Sequence, residues 1–115
     1  MSPEEAVRRL HERLSRRSPE DVEAEAVARS VLPALASALK KAGARRVVLF
    51  GSLALGLFRR DSDIDLAVSG LSELALARLE DELTLVAHRS VDLTSLERAS
   101  SGVRENIDRY GIECA

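Results

Sequence analysis

The apolar positions of this chain keep two different spacings, and the changes between them mark its elements. Val47, Val48, Leu49 and Phe50 form a short run between Arg45-Arg46 and Gly51, which its length and β-branched content assign to a buried strand. In Asp63-Ile64-Asp65-Leu66-Ala67-Val68 the apolar residues fall at 64, 66 and 68, the period of two that predicts a second strand. Ser90-Val91-Asp92-Leu93-Thr94 alternates in the same way and predicts a third.

Helical spacing fills the intervals. Ser2-Pro3-Glu4-Glu5 is a helix start with Ser2 as N-cap and Glu5 placed for a capping box. Val7, Leu10 and Leu14 then line one face to about Arg16, and Arg8, Arg9, Arg13, Arg16 and Arg17 make the remainder basic, as a solvated face or a partner-docking one. Ser18-Pro19-Glu20-Asp21 repeats the start signal for a second helix, buried through Val27, Val31, Leu35 and Ala38 or Leu39. Lys40-Lys41 and Gly43 suit its C-terminus. Pro33 removes a backbone hydrogen bond inside it, which predicts two helices meeting near Leu32 or one bent helix.

Ser72 caps a third helix, Glu73 to about Ala87, with Leu74, Leu76, Leu79, Leu83 and Val86 apolar. A fourth is expected from Leu96 to about Asp108, weakened by Ser100-Ser101-Gly102, with Val103 and Ile107 inward. Residues 110–114 close the chain as a short strand. The expected fold is α/β: a mixed sheet of three or four strands, covered by helices mainly on one side, with an extra N-terminal helix over residues 1–17.

Composition narrows the classes. A chain of 115 residues suits one domain, 1–115. Its formal net charge of −2 argues against a general nucleic-acid surface, which rests on Lys and Arg contacts to phosphates, and 3% aromatic residues leave no stacking platform for single strands. No run of 18 apolar residues and no signal peptide is seen, so a cytoplasmic protein without membrane contact is expected. Cys114 is the single cysteine and forms no internal disulfide. His11 and His88 lack the partners of a zinc centre.

The chemistry gathers between Arg45 and Val68. Gly51-Ser52 stands where a strand runs into the helix formers Leu53-Ala54-Leu55. Such a turn offers backbone N–H groups, a helix N-terminus and a hydroxyl to a phosphate. Asp63 and Asp65 project from one face of the second strand, roughly 6.5–7 Å apart at Cα for a rise of about 3.3 Å per residue. Two such acids weaken a fold unless a cation joins them, and carboxylate oxygens favour magnesium. Asp92 supplies a third acid if the helix between is a crossover joining neighbouring strands. Asp61 is read as a loop acid.

Gly51-Ser52, ten intervening residues, then Asp63-x-Asp65 and a later strand acid at Asp92 resemble the signature of the DNA polymerase β-like nucleotidyltransferase superfamily. The small size and the wording Gly-Ser…Gly…Asp-Ser-Asp-Ile-Asp-Leu-Ala-Val are most similar to the minimal nucleotidyltransferases (MNT), antitoxin partners of HEPN-domain toxins. The resemblance covers roughly residues 33–115 as the core. It implies a palm-like nucleotidyltransferase fold and two Mg2+ ions bridged by Asp63 and Asp65. Asp92 would bind the acceptor-side ion and assist deprotonation, and Gly51 and Ser52 would bind the β,γ-phosphates of ATP. Family members often carry an arginine just before the second glycine, where this chain has Leu55; Arg59 and Arg60 could reach the phosphates instead, or form a solvated pair.

The implied activity is transfer of AMP to a partner protein, a tyrosine of a HEPN toxin, within a toxin-antitoxin pair. The alternatives are a binding module that neutralises a toxin by contact alone, and a small-molecule transferase of the aminoglycoside type. Homo-oligomers and hetero-oligomers both stay open. A template-directed polymerase or a tRNA-end enzyme would need further domains or a basic surface.

Overall fold

The computed structural model describes residues 2–14 and 17–114, with side chains described for 2–10 and 17–114. Leu14, Arg13 and His11 by their side chains, and Arg16 altogether, lie outside the described residues. The elements in order are α1 (Pro3–Leu14), α2 (Pro19–Lys41), β1 (Arg46–Phe50), α3 (Gly51–Leu55), β2 (Ile64–Ser69), α4 (Glu73–Ala87), β3 (Val91–Ser95), α5 (Ser101–Tyr110) and β4 (Ile112–Glu113). The strands form one mixed sheet in the order β3-β2-β1-β4. β1 runs antiparallel to β2 and to β4, and β2 runs parallel to β3, with α4 as the crossover a parallel pair requires.

Alternation along the strands divides the interior in two. Val47, Leu49, Ile64, Leu66, Val68 and Val91 face α2 and α4, packing with Ala28, Leu35, Ala36 and Leu39 of the first and Leu76, Leu83 and Ala87 of the second. Val48 and Ala67 turn to the other face, where Ile107 of α5 covers them with Phe50, Leu96 and Val103 at the margin. By the same alternation Asp65 and Asp92 belong to the α5 face, so the apolar core holds one side of the strands that carry them.

Local chemistry explains the helix ends. The Ser18 hydroxyl accepts from Asp21 N and the Asp21 carboxylate accepts from Ser18 N, a reciprocal capping box. At the other end Gly43 takes φ +113°, Gly43 N donates to Lys40 O and Ala44 N to Leu39 O, the paired bonds of a glycine-terminated helix. α2 is a single helix that passes through Pro33. Pro33 is exposed, so the carbonyl one turn back, left without an N–H partner, can turn to water.

Three expectations change in detail. Val27 is 53% exposed, and Ala28 takes its place in the core. On α4, Leu74 and Val86 are 68% and 51% exposed, leaving Leu76, Leu83 and Ala87 as the buried stripe. α5 begins at Ser101 rather than near Leu96: residues 96–98 form a turn off β3, with Leu96 N donating to Val68 O at the sheet and Arg98 N to Ser95 O. Ser100, read from the sequence as part of a weak point within the helix, is its N-cap, accepting from Val103 N. Among the described residues no helix is long and apolar enough to cross a membrane.

Candidate active site

Two registers bring the acids together. Phe50, the last residue of β1, pairs with Asp65 of β2, and Asp65 pairs with Asp92 of β3. Adjacent strands lie about 4.8 Å apart, so the end of β1 and the two aspartates form one row across the sheet. Gly51 follows with φ +74°, and a Cβ built there would stand 2.3 Å from Asp65 Oδ2. Glycine is required twice over, by the left-handed backbone and by the carboxylate that occupies the side-chain position. The turn before α3 is thus packed directly against the second acid of the Asp-x-Asp pair. Leu53, fully buried, anchors α3, and Gly56 at φ 73° ends it, with Leu57 N donating to Ser52 O.

The row is electrostatically crowded. Burial, then the charges of Asp92 and Asp63, push the Asp65 carboxyl up to about 6. Asp92 is raised as well, by burial first, then by Asp63, with which it shares a side-chain hydrogen bond. Glu80 on α4 is raised by burial and by Asp92. Neighbouring acids disfavour one another's ionised forms here, a conflict that a bound cation would reverse. Among the described residues no three acid, imidazole or thiol groups already converge on one metal position; the aspartates meet in pairs. As a donor set they are all carboxylate oxygen, which suits a hard divalent cation.

The model of the Polbeta family, polymerase beta nucleotidyltransferase, matches residues 34–113. The chain belongs to this nucleotidyltransferase family. Among solved structures, a proposed minimal nucleotidyltransferase is 37% identical, with 73% of this chain and 89% of that one covered at a TM-score of 0.65. A chain from a toxin-antitoxin complex with AMP-PNP is 27% identical over 72% of each chain, with a TM-score of 0.65. At 23% identity the likeness is one of fold to a chain from the complex of a tri-AMPylated HEPN toxin of Shewanella oneidensis with its MNT antitoxin, covering 75% and 71% at a TM-score of 0.59. No curated protein matches the chain.

The nucleotidyltransferase loop between α3 and β2 carries the remaining candidates. Arg59 and Arg60 are exposed and, with Ser18, Asp21 and Asp61, line a polar cleft of about 220 Å³ to which Gly51 and Ser52 do not contribute. Arg60 N donates to the buried Asp21 carboxylate at 2.9 Å and Arg59 N to Ser62 Oγ at 2.9 Å. Backbone hydrogen bonds from Arg60 and Ser18 hold Asp21 below the usual carboxylate range. The structure therefore brings Gly51, Asp65 and Asp92 together, with Asp63 beside Asp92, and sets the two arginines around a neighbouring cleft.

Asp21, Glu80 and Arg89 carry no motif. The capping signal announces Asp21 as a local helix start, but its bond to a loop 39 residues away is a property of the fold. Glu80 accepts from Leu93 N beside Asp92. Arg89 grips the loop itself.

Proposed function

We propose that this nucleotidyltransferase moves AMP from ATP to a tyrosine hydroxyl of a partner protein, a HEPN-type toxin, and so acts as the antitoxin of the pair. The observation that carries the reading is the packing of the Gly51 turn against the Asp65 carboxylate, one strand from Asp92. That contact supports the reading because it sets a glycine turn, of the kind that can take a phosphate, beside acids of the kind that serve metal-assisted transfer. The partner is inferred from the likeness to a chain of a toxin-antitoxin complex with AMP-PNP. A protein acceptor also accords with the chain's net charge of −2, which does not favour a nucleic-acid acceptor.

In this reading Gly51 N–H and the Ser52 N–H and hydroxyl take the β,γ-phosphate oxygens. Asp63 and Asp65 are the residues to hold divalent cations, with Asp92 on the acceptor side. When bound, such ions supply Lewis-acid stabilisation of the phosphoryl oxygens and acidify the acceptor hydroxyl. The tyrosine oxygen forms its bond to the α-phosphorus, the bond to the bridging oxygen breaks, and pyrophosphate leaves with that electron pair. Asp92, on the acceptor side, takes the tyrosine proton. Arg59 and Arg60, exposed on the adjoining loop, are the cations available to the pyrophosphate end.

The test is incubation of the purified chain with ATP, Mg2+ and its cognate toxin, read by intact mass of both proteins, beside an Asp63→Asn/Asp65→Asn double variant. The expected outcome is mass gain on the toxin in steps of one AMP, absent with the variant. A variant that still neutralises the toxin, with no mass gain on either protein, would move the reading to neutralisation by contact.

A further inference from the structure

Asp63 is held in place by a segment that the aspartate motif does not include. The residue before it, Ser62, accepts at its carbonyl from Arg89 Nη1 at 2.7 Å, and the same nitrogen reaches Arg60 O at 2.8 Å. The residue after it, Ile64, donates its N–H to Ser90 O at 2.9 Å. Both flanks of Asp63 are therefore bonded to the dipeptide Arg89-Ser90, which leads directly into β3 and Asp92. The guanidinium is itself fixed, lying 5.0 Å from the centroid of the buried Phe58 ring, within the range of a cation–π contact. His88, at φ 53°, turns the chain out of α4 so that Arg89 points back at the loop.

Asp65 pairs with Asp92 in the register of β2 with β3, so the tie between Arg89-Ser90 and the residues on either side of Asp63 also fixes how Asp63 stands to Asp92. Arg89 acts on the backbone: it fastens the main chain on which Asp63 rides to the main chain that leads to Asp92.

We propose that Arg89 is a positioning residue of the nucleotidyl-transfer site: its side chain sets the separation of Asp63 and Asp92 by clamping the carbonyls of Arg60 and Ser62. The proposal rests on the reading of those aspartates as cation ligands. Partners that orient ligands without touching the ion are worth about 10–100-fold in metal affinity or activity, so the clamp is expected to act through metal binding rather than through nucleotide binding.

The experiment measures Mn2+ binding to the full chain, free of nucleotide, by electron paramagnetic resonance, with Tm and far-UV circular dichroism recorded for each protein. Arg89→Met keeps the stem on Phe58 and removes the donors; Arg89→Lys returns a single cationic donor; Arg98→Met, an exposed arginine paired with Glu73, is the control. The expected result is Mn2+ affinity about tenfold or more weaker in Arg89→Met, partly restored in Arg89→Lys and unchanged in Arg98→Met. In the transfer assay the Arg89 variants should need more Mg2+ for half-maximal rate while the KM for ATP at saturating Mg2+ stays put. Wild-type Mn2+ affinity in a folded Arg89→Met protein would overturn the proposal. If Arg89→Met does not fold, Arg89→Gln, too short to reach both carbonyls, decides in its place, and wild-type affinity there overturns the proposal equally. A wild-type chain that binds no Mn2+ would instead overturn the reading of the aspartates as ligands, and the clamp's function with it.

Discussion

The Asp65 carboxylate fills the space a side chain at residue 51 would need, so each residue constrains what the other can be. In Gly51→Ala the new methyl would collide with Asp65 Oδ2 at a backbone φ of +74°, so the turn, the carboxylate or both must move. The left-handed conformation alone costs an alanine about 1–2 kcal/mol; urea denaturation should show at least that loss, and intact-mass assays should show transfer abolished. Asp65 itself makes a prediction of opposite sign. Its carboxyl ionises near 3.8 in the unfolded chain and about 6 in the folded one. As pH rises from 4 the unfolded chain gives up its proton first, so stability contributed below pH 4 is lost by about pH 6 to 7. For a half-buried group, screened by solvent, the loss is about 1–2 kcal/mol. Asp65→Asn, measured without metal, should therefore match the wild type at pH 4, exceed it in Tm at pH 7.5 and have no transferase activity. Equal Tm values at both pH values would show that folding does not raise the Asp65 carboxyl in this way.

At the scale of elements, most of the pattern was legible because one face of each strand is buried. Val47 to Phe50, the alternation 64-66-68 and the run 91-93 predicted β1, β2 and β3, and Ser18 and Ser72 predicted where α2 and α4 begin. The differences lie where two apolar neighbours stand at different helical phases: Ala28, not Val27, shares the face of Leu35 and Leu39 on α2, and Ala87, not Val86, that of Leu76 and Leu83 on α4. The start of α5 was hidden because Leu96 is apolar at helical spacing yet makes a last sheet bond to Val68. Of the two outcomes open at Pro33 the single helix holds, because the missing N–H falls on the exposed side of a 23-residue helix otherwise supported by packing. Pro33→Ala should restore that bond and stabilise the protein by about 1–2 kcal/mol, part of the roughly 3 kcal/mol propensity difference being offset by the freer unfolded chain. A lower midpoint in urea would mean that Pro33 shapes α2 in a way the core depends on.

For the whole molecule, the acids and the glycine turn could be read from sequence because their spacing is local to a strand or a turn, whereas the groups that hold them are not. Asp21, Arg29 and Arg17 reach Arg60 N, Leu53 O and Phe58 O across 39, 24 and 41 positions, distances over which a single sequence carries no pairing signal. These contacts all come from residues before 34, where the family match begins. The N-terminal half of α2 therefore belongs to the working domain, and truncation should show it. α1 offers few described ties: an exposed ion pair from Glu4 to Arg109, and Leu10 left 40% exposed. A chain beginning at Arg17 should lose about 1 kcal/mol or less and keep its transferase activity. A chain beginning at Pro33 also loses the buried Ala28 and Asp21 and the bonds to the loop and α3. Set against a typical domain stability of about 5–15 kcal/mol, that loss of several contacts at once should bring it to the edge of unfolding, with no cooperative urea transition. If the chain from Pro33 unfolded at the full-length midpoint and still transferred AMP, the first half of α2 would be an appendage, and the loop would have to be held from the Arg89 side alone.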